Sequence, residues 1–155
     1  MIMIQVYKEK KQKHFRIVIL PTGRNEMGLI QVKDYGIISY LSIKEIYKMG
    51  EFILWALNQS DNEIIKDKSE VEFSKKFFNY NSYRKITIDY NLINIKIVNN
   101  VCKLELLNKD GYGFTSFKDK DGNFLEYEFK KKPTAYELGS KLMEMFEYKE
   151  NYDEI

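Results

Sequence analysis

The chain carries one helical block twice. Tyr47-Lys48-Met49-Gly50-Glu51-Phe52-Ile53-Leu54 and Tyr136-Glu137-Leu138-Gly139-Ser140-Lys141-Leu142-Met143 share a single pattern: tyrosine, any residue, apolar, glycine, any two residues, then two apolar residues. Each block gains a further apolar residue seven places beyond its glycine, Leu57 and Phe146. Each is also preceded by a helix-start signal, Ser42-Ile43-Lys44-Glu45 and Thr134-Ala135-Tyr136-Glu137. In such a capping box the hydroxyl oxygen accepts an early backbone N–H, while the glutamate three residues on reaches back to the cap residue. A mid-helix glycine costs about 1 kcal/mol relative to alanine. Its presence at the same point of two helices therefore demands a compensating contact, and close approach to a sheet or another helix supplies one. The sequence predicts two similarly packed helices, near 42–59 and 134–148.

Around these helices the pattern is that of strands. Residues 2–7 and 14–20 are apolar and β-branched, separated by the charged stretch 8–13, and read as two strands joined by a basic loop. Gly23-Arg24-Asn25 reads as a turn, followed by short extended candidates at 28–32 and 35–40. In the first helix Ile43, Ile46, Tyr47, Gly50, Ile53, Leu54 and Leu57 fall on one stripe at helical spacing. Residues 60–82 are ambiguous: Ser69-Glu70-Val71-Glu72 can open a short helix ending near Phe77-Phe78, and Asn79-Tyr80-Asn81-Ser82 reads as a break. Ile86, Ile88 and Tyr90 alternate as in a strand, whereas Tyr83, Ile86 and Tyr90 fit a helix face. Strand candidates at 92–98, 101–107, 112–117 and 123–130 are separated by Asn99-Asn100, Asn108-Lys109-Asp110-Gly111 and Lys118-Asp119-Lys120-Asp121-Gly122. The expected fold is α+β, an antiparallel sheet with a C-terminal meander packed against the two helices. In the last helix Leu138, Leu142, Met145 and Phe146 form the apolar face.

With 44% hydrophobic and 31% charged residues, 155 residues suffice for a core without metal or disulfide, and a single domain over 1–155 is expected. The 25 basic residues against 23 acidic ones leave a net charge of +2, which argues against a histone-like polyanion binder. Cys102, the one cysteine, lies in a strand candidate and reads as a buried, inert thiol. The longest apolar run, 52–57, falls far short of the roughly 20 residues that span a bilayer. Met1-Ile2-Met3-Ile4 runs into Lys8-Glu9-Lys10-Lys11 without the charge-then-apolar order of a signal peptide. A cytoplasmic protein with no membrane partner is expected.

No residue pattern displays a reaction. Asp119-Lys120-Asp121-Gly122-Asn123 fails as a calcium loop because its sixth position is Phe124 where glycine is required, and it reads as a hairpin turn. His14, the one histidine, has no metal-ligand spacing and reads as a polar strand-edge residue. No nucleophile elbow, Walker loop or dinucleotide-binding glycine pattern occurs, and no local feature marks a carboxylate with a raised pKa. Neither an enzyme nor a cofactor or metal site is expected. The loop residues Lys8, Lys10, Lys11, Lys13 and Arg16, flanked by Tyr7 and Phe15, offer phosphate contacts and thus an alternative, a small nucleic-acid-associated regulator using loop 8–16. Phe52 and Trp55 lie off the apolar stripe. They are expected to be covered by the segment 64–78, or else to form an exposed aromatic anchor. Charge is uneven: residues 137–155 hold Glu137, Glu144, Glu147, Glu150, Asp153 and Glu154 against Lys141 and Lys149, a local −4, so the preceding chain carries +6.

Taken in order, these residues resemble the immunity proteins of bacterial contact-dependent growth inhibition systems. One block of the resemblance is Phe15-Arg16-Ile17-Val18-Ile19-Leu20-Pro21-Thr22-Gly23-Arg24 through Met27-Gly28, with the strand and capped helix that follow. The other is the strand at 92–98, the hairpin region, and the Pro133-Thr134-Ala135-Tyr136-Glu137-Leu138-Gly139 helix start. Together they span nearly the whole chain, with Met49-Gly50 a mild departure from the apolar-glycine pair seen at Leu138-Gly139. The resemblance implies a helical segment around Ser82-Tyr83-Arg84-Lys85, in competition with the strand reading of 86–90. It also implies a cytoplasmic protein that binds and blocks one cognate toxin domain, often a nuclease with a basic active site, and no catalytic residue carries over. Such a partner asks for an acidic, partly aromatic patch, and Glu137, Glu144, Glu147, Trp55 and Phe52 are the candidates.

Overall fold

The computed structural model describes residues 1–66 and 70–154; Ser69, the first residue of the short helix predicted after residue 60, lies outside them. Among the described residues the elements run β1 (Ile2–Glu9), β2 (His14–Arg24), β3 (Ile30–Val32), β4 (Ile37–Ser42), α1 (Ile46–Gln59), α2 (Phe73–Phe78), α3 (Tyr83–Asp89), β5 (Tyr90–Val98), β6 (Val101–Asp110), β7 (Gly113–Ser116), β8 (Glu126–Glu128) and α4 (Ala135–Asp153). The class is α+β, as the sequence predicts. The strands form one antiparallel sheet with the path β3-β2-β1-β5-β6-β7, in which β4 also pairs with β2 and β8 with β6.

Period-two alternation sorts the strand side chains onto two faces. On one face the register aligns Ile19, Val6, Ile93 and Leu106 in a row, with Ile4, Ile95 and Leu104 in the next. These residues, with Ile17, form a core with Met49, Ile53, Ala56 and Leu57 of α1 and Leu138, Leu142, Met145 and Phe146 of α4. On the other face Val18, Tyr7 and Leu92 align, and with Leu20 and Leu107 they pack under Phe77 and Phe78 of α2 and Ile86 of α3. The sheet is thus covered by helices on both sides, the second layer consisting of two short helices.

The duplicated glycines mark the crossing of α1 and α4. A Cβ on Gly50 would lie 1.6 Å from the Ala135 carbonyl oxygen, and one on Gly139 would lie 2.0 Å from the Ile46 carbonyl oxygen. Chain numbers rise along one helix and fall along the other at these contacts, so the helices cross antiparallel. The contact is reciprocal. By helical geometry the Ile46 carbonyl accepts from Gly50 N–H and the Ala135 carbonyl from Gly139 N–H, so each glycine admits the backbone group that the other glycine holds.

Several expected boundaries move. Helix α1 begins at Ile46 rather than Ser42, because Ser42 ends β4 opposite His14. The Glu45 carboxylate does reach back to Ser42 N–H (2.9 Å), but Ser42 Oγ accepts from Lys44 N–H (3.3 Å), and the signal closes a turn before the helix. Ile43 and Tyr47 consequently leave the apolar stripe and are exposed, while Met49 and Ala56 are buried. Thr134 forms the full capping box with Glu137 at α4. Gly23 and Arg24 are not a turn: β2 continues through them to pair with β3, and the turn follows at 25–28. Residues 83–89 take the helical alternative, and β5 starts directly at Tyr90.

The C-terminal strands run antiparallel as predicted, with β7 and β8 sharing the free edge of β6, the first at residues 107–110 and the second at 103–105. Asn99 and Asn100 both adopt positive φ (51° and 64°), the conformation that a two-residue hairpin turn requires. The 119–123 stretch is a hairpin turn, with Asp119 Oδ1 accepting from the Asp121 and Asn123 amides.

Candidate functional site

Helices α1 and α4 cover the same face of the sheet, so their solvent sides form one outer surface. It presents Tyr47, Glu51 and Trp55 from α1, and Tyr136, Glu137, Glu144, Glu147 and Tyr148 from α4, all exposed. The repeated block explains part of this composition. Its tyrosine precedes the glycine by three residues, about 60° around the helix, and both tyrosines stand at the outer lip of the crossing, Tyr47 60% and Tyr136 58% exposed. Tyrosine offers contact area with few rotatable bonds and is enriched among residues that dominate interface energy. Helical spacing alone puts Tyr47 on the apolar stripe and leaves Tyr136 out of account, whereas the structure exposes both. The equal spacing to the two glycines was the signal that could have found both.

The six acids of the C-terminal segment divide into roles that charge counting does not reveal. Glu137 completes the capping box, its Oε1 accepting from Thr134 N–H at 3.1 Å. Glu144 pairs with Lys141 at 2.9 Å, and the same ammonium lies 4.2 Å from the Tyr127 ring centroid. Glu150 turns inward to meet Lys8, and the exposed Asp153 meets the buried Lys149, each at 2.5 Å. Lys8 is only 1% exposed. Burial holds its pKa below the ordinary lysine value, opposed by the Glu150 carboxylate. Glu147 is exposed and makes no ion pair among the described residues. Apart from the Lys8–Glu150 and Lys149–Asp153 pairs, the charges of residues 135–154 are Glu137, Glu144, Glu147 and Glu154 against Lys141, a net −3.

The two aromatic candidates separate. Trp55 is 37% exposed and meets Tyr35, in the loop before β4, edge-on with ring centroids 6.2 Å apart. Phe52 is half-buried against the main core, with the Lys48 ammonium 5.9 Å over its ring. Trp55 belongs to the outer surface, and Phe52 belongs to the packing beneath it.

The basic loop also divides. Lys8 is buried and donates to the Glu9 and Lys11 carbonyls as well as to Glu150. Arg16 points across the other face of the sheet, donating to Tyr90 Oη (3.1 Å) and to the Phe77 carbonyl (2.7 Å). Lys10, Lys11 and Lys13 remain on the surface. Two of the five cations that suggested phosphate contacts thus hold the fold together. Cys102 is buried in β6, and burial pushes its thiol pKa up to about 11. Among the described residues no helix is long and apolar enough to cross a membrane, and no group of three or more His, Cys, Asp or Glu side chains is placed to hold a metal.

No family model matches the chain, and no curated protein sequence matches it. Solved structures do. One chain from the CdiA-CT/CdiI toxin and immunity complex of Yersinia pseudotuberculosis superposes with a TM-score of 0.62 at 11% identity, over 96% of this chain and 96% of that one. A Neisseria meningitidis protein of unknown function superposes with a TM-score of 0.63 at 13% identity, over 92% and 93% of the two chains. At such low identity the likeness establishes a shared fold from end to end.

Proposed function

We propose that this chain is an immunity protein, which binds one cognate toxin domain in the cytosol and protects the cell from contact-dependent growth inhibition. The observation that carries the reading is the end-to-end fold likeness to a chain from a toxin and immunity complex. It agrees with the sequence resemblance, which rests on the strand and helix motifs at both ends of the chain. The toxin domain is a nuclease in this reading, and its basic, polyanion-binding face meets the acidic, tyrosine-bearing outer surface of α1 and α4. An acidic surface steers a basic partner and sets the association rate, while buried aromatics hold the complex.

The test is growth rescue and co-purification with the toxin domain encoded immediately upstream, expressed with and without this chain. Rescue together with a stoichiometric complex supports the reading; persistent toxicity with no complex refutes it for that neighbour. The interface is tested by reversing Glu144 and Glu147 to lysine, leaving the capping Glu137 intact. Association at low salt is expected to slow about tenfold, with the difference shrinking as salt screens the pair of surfaces. An association rate unchanged at low salt would remove this face from the interface.

A further inference from the structure

An apolar hollow lies at the hairpin end of the helical layer. Between α1, the β5–β6 hairpin and the start of α4 there is a hollow of about 300 Å³ lined by Leu54, Leu57, Ile97, Asn100, Cys102, Lys132, Pro133 and Leu138. Its arrangement follows from burial. Leu57, Cys102 and Leu138 are buried and form the floor, the partly covered Leu54, Ile97 and Pro133 form the walls, and the exposed Asn100 and Lys132 form the rim. The lining is apolar apart from that rim, the usual character of a small-molecule pocket near the lower end of the size range.

The lining holds one charged residue, Lys132, which is exposed and makes no ion pair among the described residues, and the exposed Lys130 and Lys131 precede it in the chain. No acidic residue occurs between Glu128 and Glu137, and Glu137 is engaged in the α4 cap. Pro133 and Leu138 bracket the first turn of α4, so the hollow lies against the positive end of that helix's dipole. An apolar hollow with an unpaired lysine at its rim is complementary to a molecule with an apolar body and an anionic head.

We propose that this hollow binds a small amphiphilic anion, a medium-chain carboxylate of roughly ten heavy atoms, with its chain over Cys102 and Leu138 and its carboxylate at Lys132. The site is separate from the tyrosine-lined outer face and does not depend on the immunity reading.

The experiment is a titration of the isotopically labelled full chain with octanoate and, in parallel, octylammonium, followed by amide chemical shifts. Octanoate is expected to give saturable shifts at Asn100, Cys102, Lys132 and Leu138, and octylammonium to bind at least tenfold more weakly. Lys132→Glu, at an exposed position, is expected to weaken octanoate about tenfold, and Ile97→Phe is expected to fill the hollow and abolish the shifts. Should Ile97→Phe fail to fold, Lys132→Glu still decides the question. Shifts that do not saturate or that map elsewhere, octylammonium binding as tightly as octanoate, or full affinity in Lys132→Glu would each overturn the proposal. Capture of an acidic, leucine-bearing peptide in the absence of octanoate binding would overturn it in favour of a protein-docking pocket.

Discussion

Replacing Gly50 by alanine sets two effects of opposite sign against each other, and the structure decides between them. In an ordinary helix the change adds about 1 kcal/mol of stability, because glycine is the poorer helix former. Here the new methyl would sit 1.6 Å from the Ala135 carbonyl oxygen and 2.4 Å from its carbon. Real contacts of this kind essentially never fall below 3.0 Å, so α1 and α4 must separate by about 1.4 Å at the crossing. The neighbour is a hydrogen-bonded helix backbone and cannot rotate aside as a side chain would. Overpacking of this kind costs about 3 kcal/mol, at the upper end of its usual range. The opened contact between the apolar faces of the two helices adds a cavity term. Net destabilisation of about 2–3 kcal/mol is expected after the propensity gain, or a fall in Tm of roughly 5–10 °C for a chain of this size. Urea unfolding followed by circular dichroism measures it. Gly113→Ala serves as the control, since a Cβ there meets nothing within 4 Å, and it should stay within about 0.5 kcal/mol of the parent. Gly50→Ala together with Gly139→Ala should cost less than the sum of the two, because the first substitution already separates the helices. A Gly50→Ala protein as stable as the parent, or more so, would refute the close crossing.

Three other outcomes follow from named contacts. Glu150→Ala leaves the buried Lys8 ammonium without its carboxylate and is expected to cost about 3 kcal/mol, and a double-mutant cycle with Lys8→Met should show strong coupling by denaturant unfolding. The Cys102 thiol, with a pKa of about 11 against an ordinary 9.0, should alkylate at pH 8 at least about 100-fold more slowly than in the urea-unfolded chain; comparable rates would mean that β6 is open. The Asp61 carboxylate, held below its ordinary pKa first by the Lys33 hydrogen bond, contributes stability that is present above pH 3.8 and lost as pH falls through its lower folded value. Asp61→Asn should therefore lower stability near neutrality and flatten the acid limb of the profile, with little change at the acidic end, where the contribution is already lost.

What could be read from the sequence depended on whether a signal was local. The α4 cap, the Asn99-Asn100 turn and the glycine crossing are each written in a few adjacent residues, and each is present. The start of α1 failed because Ser42 answers to two demands. Its spacing to Glu45 suits a helix cap, yet pairing with His14 keeps it in β4. The second layer was hidden for a different reason. Helices α2 and α3 span only six and seven residues, too short for periodicity to separate helix from strand, and their stability comes from Phe77, Phe78 and Ile86 meeting Tyr7 and Leu92 across the sheet. The acidic tail showed the limit of charge counting. Lys8 lies 142 residues from the carboxylate it pairs with, so no local reading separates the inward Glu150 from the outward Glu147.

The repeated block links the packing of this fold to the surface proposed for recognition. Gly50 and Gly139 bring the helices together, and the residue three places earlier in each block comes out at the lip of that contact as an exposed tyrosine. Tyr47→Ala and Tyr136→Ala remove side chains that are mostly in water, so stability should change by no more than about 0.5 kcal/mol. If these rings are the anchors of a partner, the double variant should lose at least about 30-fold in affinity for the toxin domain while its unfolding curve stays in place. The glycine variants should behave in the opposite order, losing stability first and binding only as far as the lip is displaced. Equal losses of stability and binding in the tyrosine pair would mean that the block serves only to dock α1 on α4.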